Sequence, residues 1–160
     1  MNSLGKLNAA IYRNLQVLMN DRLRDLDISS GQYDFFVAIS QNEGLSLKEL
    51  GALLHVGKST TTKAVQDLAG KGYVRKVKDT EDARIDHLFL TVKGKGAVPI
   101  MQQVSDENDA LAASMLSEKE AVVLQVLLSR VLKGLQAEKQ TRQEEAQRRR
   151  GGWVAEKPEA

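Results

Sequence analysis

The sequence predicts a mainly α fold of the α+β type: a helix-turn-helix, then one small antiparallel ribbon, with long helices on either side. Three observations carry this reading. Apolar residues recur at three-and-four spacing over most of the chain. Ser-x-x-Glu signatures of helix starts stand at Ser46–Glu49 and Ser117–Glu120. A single stretch alternates like paired strands, around the charged tip within KVKDTEDARIDHLFLT at 76–91.

The elements follow in order. Leu4, Leu7, Ile11, Leu15, Leu18, Arg22 and Leu26 define a long amphipathic first helix that ends near LDIS. A second helix holds Tyr33, Phe36, Val37 and Ile39 and stops before the Asn42-Glu43-Gly44 turn. A short third begins at Ser46, turns Leu47, Leu50, Leu53 and Leu54 inward, and is broken by HVG at 55–57. A fourth runs from about Lys58 to Ala69 and ends in GKG, with glycine where a left-handed cap is wanted. Tyr73–Val77 and His87–Thr91 have strand composition. A helix over about 92–115 places Val98, Met101, Val104, Leu111 and Met115 at helical spacing, and Pro99 makes it start late or bend. The last helix, opened by SEKE, is apolar on more than one face between Ala121 and Leu128, so it calls for a partner.

Composition removes several functions. The chain has no cysteine, which excludes disulfides, thiolate metal sites and thiol chemistry. Its two histidines, His55 and His87, are far apart, so no metal site is expected. No nucleophile–base pair, phosphate loop or metal-spaced cluster points to an enzyme or a cofactor. Without a leader or a long apolar run, the expected location is the cytoplasm, away from any membrane.

Charge is segregated. Residues 46–95 carry ten Lys/Arg against six Asp/Glu, whereas 1–45 carry four against five and 96–138 three against six. A basic middle between acidic flanks suits a polyanionic partner. The fourth helix sharpens this. At 100° per residue Thr61, Ala64, Val65 and Leu68 share one side, while Ser59, Thr62, Lys63 and Gln66 share the other. Small, hydroxylic, amide and basic side chains with no acid among them can approach base edges and phosphates.

A helix-turn-helix followed at once by a ribbon is a winged helix. The stretch from Ser46 to Gly94, with GKSTTTKAVQDLAGKGYV and DTEDARIDHLFLTVKG, resembles the MarR (multiple antibiotic resistance regulator) family. The resemblance lies in the Ser/Thr-rich recognition helix, the Gly-hydrophobic pair after it, the D-x-R wing and the closing Leu-Thr, and it extends over about residues 4–138. It implies a homodimeric, sequence-specific regulator, commonly a repressor, bound to double-stranded DNA at a pseudo-palindromic operator. Lys58, Ser59, Thr60, Thr62, Lys63 and Gln66 would form the recognition face. Arg84 would enter the minor groove, its guanidinium held by Asp82. Ala83 and Asp86 depart from the family by standing where bases are frequent.

The resemblance divides the chain into a MarR-type domain at 1–138, with the winged lobe at about 30–95 and dimerisation helices at 1–28 and 96–138. A helix end and disordered tail occupy 139–160. Relatives commonly release DNA on binding small aromatic or phenolic effectors, which marks Tyr12, Arg13, Tyr33 and Phe36 for inspection. In the tail, Arg148, Arg149 and Arg150 read as a solvated charge run and Trp153 as an exposed aromatic. The rival reading is a winged-helix module for protein–protein assembly, which requires neither charge segregation nor an acid-free helix face.

Overall fold

The structure, a computed structural model, describes residues 3–151, with side chains through residue 148. The chain divides into two compact units, residues 1–111 and 112–160. In chain order the first unit holds α1 (Leu4–Arg22), a 3-10 turn (Arg24–Leu26), α2 (Ser30–Gln41), α3 (Leu47–Leu53), α4 (Lys58–Gly70), β1 (Val74–Lys78), β2 (Asp86–Leu90) and nearly all of α5 (Val92–Ala113). The second is built on α6 (Glu118–Gly151).

Local chemistry accounts for the boundaries. The Ser46 N–H donates to Glu49 Oε2 at 2.8 Å and the Glu49 N–H returns to Ser46 Oγ at 3.3 Å, which closes the expected capping box at the start of α3. These bonds from Ser46 hold the Glu49 carboxyl below its usual range. His55, with φ 55°, takes the left-handed conformation that ends the turn between α3 and α4. Gly72 at φ 78° does the same after α4, at the second glycine of GKG. The ribbon pairs antiparallel from Val74 opposite Leu90 to Lys78 opposite Asp86. It stops one residue short of Thr91, whose hydroxyl accepts the Gly94 N–H at 3.0 Å and so caps α5. The Leu-Thr of the motif is thus the junction of strand and helix.

α5 starts at Val92 and runs through Pro99, so the helix does not start late. The proline only deprives one carbonyl in the preceding turn of its usual partner. The buried face of α5 is narrower than the periodicity suggested, comprising Gly94, Ala97, Met101, Val104 and Asn108. Leu53, expected to face inward, is 49% exposed, because α3 ends there and Leu50 alone of its leucines is fully buried.

The core of the first unit joins Leu23, Ile28, Phe36, Ile39, Leu50, Val65, Leu68, Leu88 and Met101. Phe36 meets Tyr73 edge-on at 6.1 Å between ring centres. Two close approaches fix the lobe. A side chain at Gly51 would stand 2.9 Å from Thr61 Oγ1, so α3 and α4 pack at glycine distance. At Gly94 it would stand 2.2 Å from the Tyr73 carbonyl oxygen.

α1 buries none of its residues in the single chain; Leu4, Leu7, Ile11, Val17 and Leu18 are all exposed. In the second unit Ser117 and Glu120 form a second box, with the Ser117 N–H 2.8 Å from Glu120 Oε2. Along α6, Val122, Val123, Leu124, Val126, Leu127, Leu128, Val131, Leu132 and Leu135 are exposed in the single chain. The helix continues to Gly151, well past the position where its apolar periodicity ends. The side chains of Arg149 and Arg150, and all of Trp153, lie outside the described residues.

Candidate nucleic-acid interface

α4 is set by its apolar face. Thr61, Ala64, Val65 and Leu68 are buried, and the Thr61 hydroxyl donates to the Gly57 carbonyl at 3.1 Å. The residues this leaves exposed are Lys58, Ser59, Thr60, Lys63, Gln66 and Gly70, with Thr62 half-buried at the margin. The one acid of α4, Asp67, is turned away from that face: its Oδ2 accepts from Gln32 Nε2 of α2 at 3.3 Å. Gln32 also accepts from Lys71 Nζ at 3.3 Å, which ties the end of α4 to the start of α2. The expected recognition residues therefore share one solvent-facing surface without a carboxylate on it.

The wing is built on Asp79. Its carboxylate accepts the Glu81 N–H at 2.8 Å and the Asp82 N–H at 2.9 Å, while its other oxygen lies 2.8 Å from His87 Nε2. Those contacts, led by the Asp82 N–H, bring the Asp79 carboxyl down to about 2. Asp82 repeats the device two residues on, accepting the Arg84 N–H at 3.0 Å, with the Arg84 Nε 3.5 Å from the same oxygen. The Arg84 side chain is 93% exposed beyond it. Asp86, the acid where bases are frequent in relatives, meets Lys78 at 2.9 Å across the ribbon. Arg75 lies over the Phe89 ring at 4.9 Å and leaves Lys76 exposed beside it.

Asp79 and His87 were absent from the residues expected from sequence. The available signal was Asp79 three residues before Asp82, a spacing that lets a carboxylate close a turn by accepting backbone N–H groups. Nothing local marks His87, because its second partner is the Gly44 carbonyl, 43 residues away at 2.6 Å.

The four residues marked for an effector stand in two different settings. Tyr12 and Arg13 are exposed on α1, with the Tyr12 hydroxyl accepting from Gln16 Nε2 at 2.7 Å. Tyr33 and Phe36 are buried in α2, and the Tyr33 hydroxyl donates to the Met101 carbonyl at 3.1 Å. A groove of about 560 Å³ along α5 is lined by Pro99, Gln102, Gln103, Asp106, Glu107 and Ala110, and by none of those four.

Among the described residues no group of three or more His, Asp or Glu side chains could hold a metal ion, and no helix is long and apolar enough to cross a membrane.

Comparison with known proteins follows the same geometry. The family described as the MarR family matches residues 26–85, from the end of the 3-10 turn to the wing tip. The chain is 29% identical over 136 residues to the uncharacterized HTH-type transcriptional regulator YybA of Bacillus subtilis, an alignment covering 85% of this chain and 91% of that one. A MarR transcriptional regulator from Methanosarcina mazei Go1 superposes with a TM-score of 0.77 at 28% identity, over 84% of this chain and 97% of the other. A mutant MarR from E. coli, complexed with operator DNA, superposes with a TM-score of 0.72 at 26% identity, over 81% and 93% of the two chains. These relatives are regulators and not enzymes. The chain is thus similar to the MarR family over residues 26–85, and its fold is that of solved MarR transcriptional regulators.

Proposed function

We propose that this chain acts in the cytoplasm as a homodimer that binds a pseudo-palindromic operator in double-stranded DNA and represses transcription until a small aromatic or phenolic effector releases it. The observation that carries the DNA-binding part is the outer face of α4, where Lys58, Ser59, Thr60, Lys63 and Gln66 are exposed together and Asp67 is turned away. A hydroxylic and basic helix face fits the major groove, where Lys meets phosphate and the Gln amide pairs with a base edge. Arg84 projects from the wing as a second, minor-groove contact. The solved complex of a MarR relative with operator DNA supports the same use of the fold.

Exposed apolar surface supports the dimer. α1 and α6 each expose a series of large aliphatic side chains in the single chain, and burial against the same helices of a second copy would remove both from water. Two copies then present two α4 helices to two half-sites. Repression and effector release rest on resemblance alone, with Tyr12, Arg13, Tyr33 and Phe36 as the residues to inspect.

The test is titration of the protein with promoter DNA from its own genomic neighbourhood and with random DNA, over a range of salt. Preference for the promoter with a steep salt dependence is the expected result. Equal, salt-insensitive or absent binding would favour an assembly module. Addition of phenolic compounds to the preformed complex tests release.

A further inference from the structure

The wing stands away from the core, yet its turn is tied to a distant loop through one imidazole. Leu88 is fully buried; its N–H donates to the Leu45 carbonyl at 2.9 Å, and its own carbonyl accepts the Gly44 N–H at 2.8 Å. Beside it, His87 places Nδ1 2.6 Å from the Gly44 carbonyl and Nε2 2.8 Å from Asp79 Oδ2. The other oxygen of Asp79 collects the N–H groups of Glu81 and Asp82. A continuous chain of hydrogen bonds thus runs from the loop before α3, through His87 and Asp79, into the turn that carries Asp82 and Arg84.

We propose that His87 is a positioning residue of the wing: bridging the Gly44 carbonyl and the Asp79 carboxylate, it holds the turn from which Arg84 reaches DNA. The inference rests on the DNA-binding reading given above. Both partners of the ring are acceptors without a proton to give, so a neutral imidazole satisfies one and faces the other lone pair to lone pair. Only the imidazolium donates to both. The surrounding charges favour that form. Asp79 lies on the wing, Glu49 on α3 adds a second carboxylate nearby, and the adjacent Asp86 is neutralised by Lys78. The Asp79 hydrogen bond in particular raises His87 above its ordinary value. As pH rises through that raised value the imidazole loses one bond, the turn loosens, and Arg84 must be ordered at the expense of binding. The wing is therefore firmest below that raised value and above the range in which Asp79 takes up its proton.

The experiment has two arms, both on the full chain. In the first, the ring nitrogens of His87 and the backbone amides of the wing are followed by NMR from about pH 5 to about pH 9, with His55→Asn used to assign the other imidazole. The clamp predicts a His87 midpoint above the ordinary imidazole value, and amide signals of Glu81, Asp82 and Arg84 that move with that midpoint. It also predicts that Asp79→Asn lowers the midpoint and that His87→Gln abolishes the shared movement. A midpoint at or below the ordinary value, or wing amides indifferent to it, overturns the clamp whatever happens on DNA.

In the second arm, promoter affinity is measured at fixed ionic strength across the same pH range. Wild type should weaken by about three- to tenfold above the midpoint, the effect of one lost hydrogen bond, and His87→Gln should show a flat profile. A clamp confirmed by NMR alongside a pH-independent wild-type affinity would overturn the positioning role. Failure of every variant and of wild type to bind DNA would instead overturn the DNA-binding reading, and the first arm would still decide the clamp.

Discussion

Arg84 donates its backbone N–H to the Asp82 carboxylate at 3.0 Å, and its guanidinium Nε stands 3.5 Å from the same oxygen. One carboxylate thus sets both the backbone and the side chain of an almost fully exposed cation on the wing. At 93% exposure the ion pair itself adds little stability, so its value lies in orientation. Arg84→Ala should weaken promoter binding by about 1–3 kcal/mol. Lysine at that position should restore only part, since its hydrated ammonium is a poorer occupant of a narrow groove. Asp82→Ala should cost less, and the double variant little more than Arg84→Ala alone. Titration of one promoter fragment at one salt concentration checks the set, and strictly additive losses would refute the orienting role of Asp82.

On α4, Lys63 and Gln66 are both exposed but differ in what they can recognise. Lys63→Ala should weaken binding to promoter and random DNA alike and reduce the salt slope by about one. Gln66→Ala should relax preference at particular base pairs, as an amide paired with a base edge requires. Competition assays on a set of single-base operator variants separate the two effects. If neither substitution changes affinity or selectivity, α4 is not the reading element.

Leu124 and Leu128 lie one turn apart on α6 and are 44% and 45% exposed in the single chain. Replacing both with Glu should put charge into an apolar interface and give monomers or aggregates. Sedimentation or light scattering reads the mass. An unchanged dimer would move the interface elsewhere.

Gly94→Ala tests the junction of wing and α5. The added Cβ would stand 2.2 Å from the Tyr73 carbonyl oxygen and 3.2 Å from the Leu90 Cβ, so backbone must move. A loss of about 1–3 kcal/mol in urea unfolding is expected, the range for forced overpacking. Gly96→Ala, where a Cβ meets nothing within 4 Å, is the control and should be neutral or slightly stabilising.

Stability should also follow the Asp79–His87 pair with pH. Asp79 is depressed from 3.8 to about 2, so its contribution is present above 3.8 and is lost as pH falls toward 2. His87 is raised from 6.5, so its contribution is complete below 6.5 and is lost as pH rises through its higher folded value. The two together favour the window between these limits. Melting temperatures of wild type and His87→Gln should differ most within that window and converge at higher pH. A constant difference across the range would show that the pair does not titrate with folding.

The sequence by itself determined the order of helices, the start of α3 at Ser46, the start of α6 after Ser117, and the ribbon between α4 and α5. Each of these depends on contacts within three or four residues, or on a periodicity visible along the chain. It also determined which side of α4 meets solvent, because the apolar positions Ala64, Val65 and Leu68 leave only one face to bury. Arg84 and Asp82 could be named together because they are two residues apart and the D-x-R pattern joins them.

Tertiary structure decided what depends on distant partners. Leu53 is exposed because α3 ends before its last turn can pack. Asp67 leaves the outer face of α4 free of a carboxylate only because the Gln32 amide, 35 residues away, donates to it. Tyr33 and Phe36, aromatic and marked for an effector, are committed to Met101 and Tyr73. The role of His87 is the clearest case. Periodicity marks it as an ordinary strand residue, and only the fold brings the Gly44 carbonyl to one side of its ring and the Asp79 carboxylate to the other. Hydrogen bonds between distant segments leave no repeat in the sequence, because each needs only one suitable atom at each end and the fold to bring them within 3 Å.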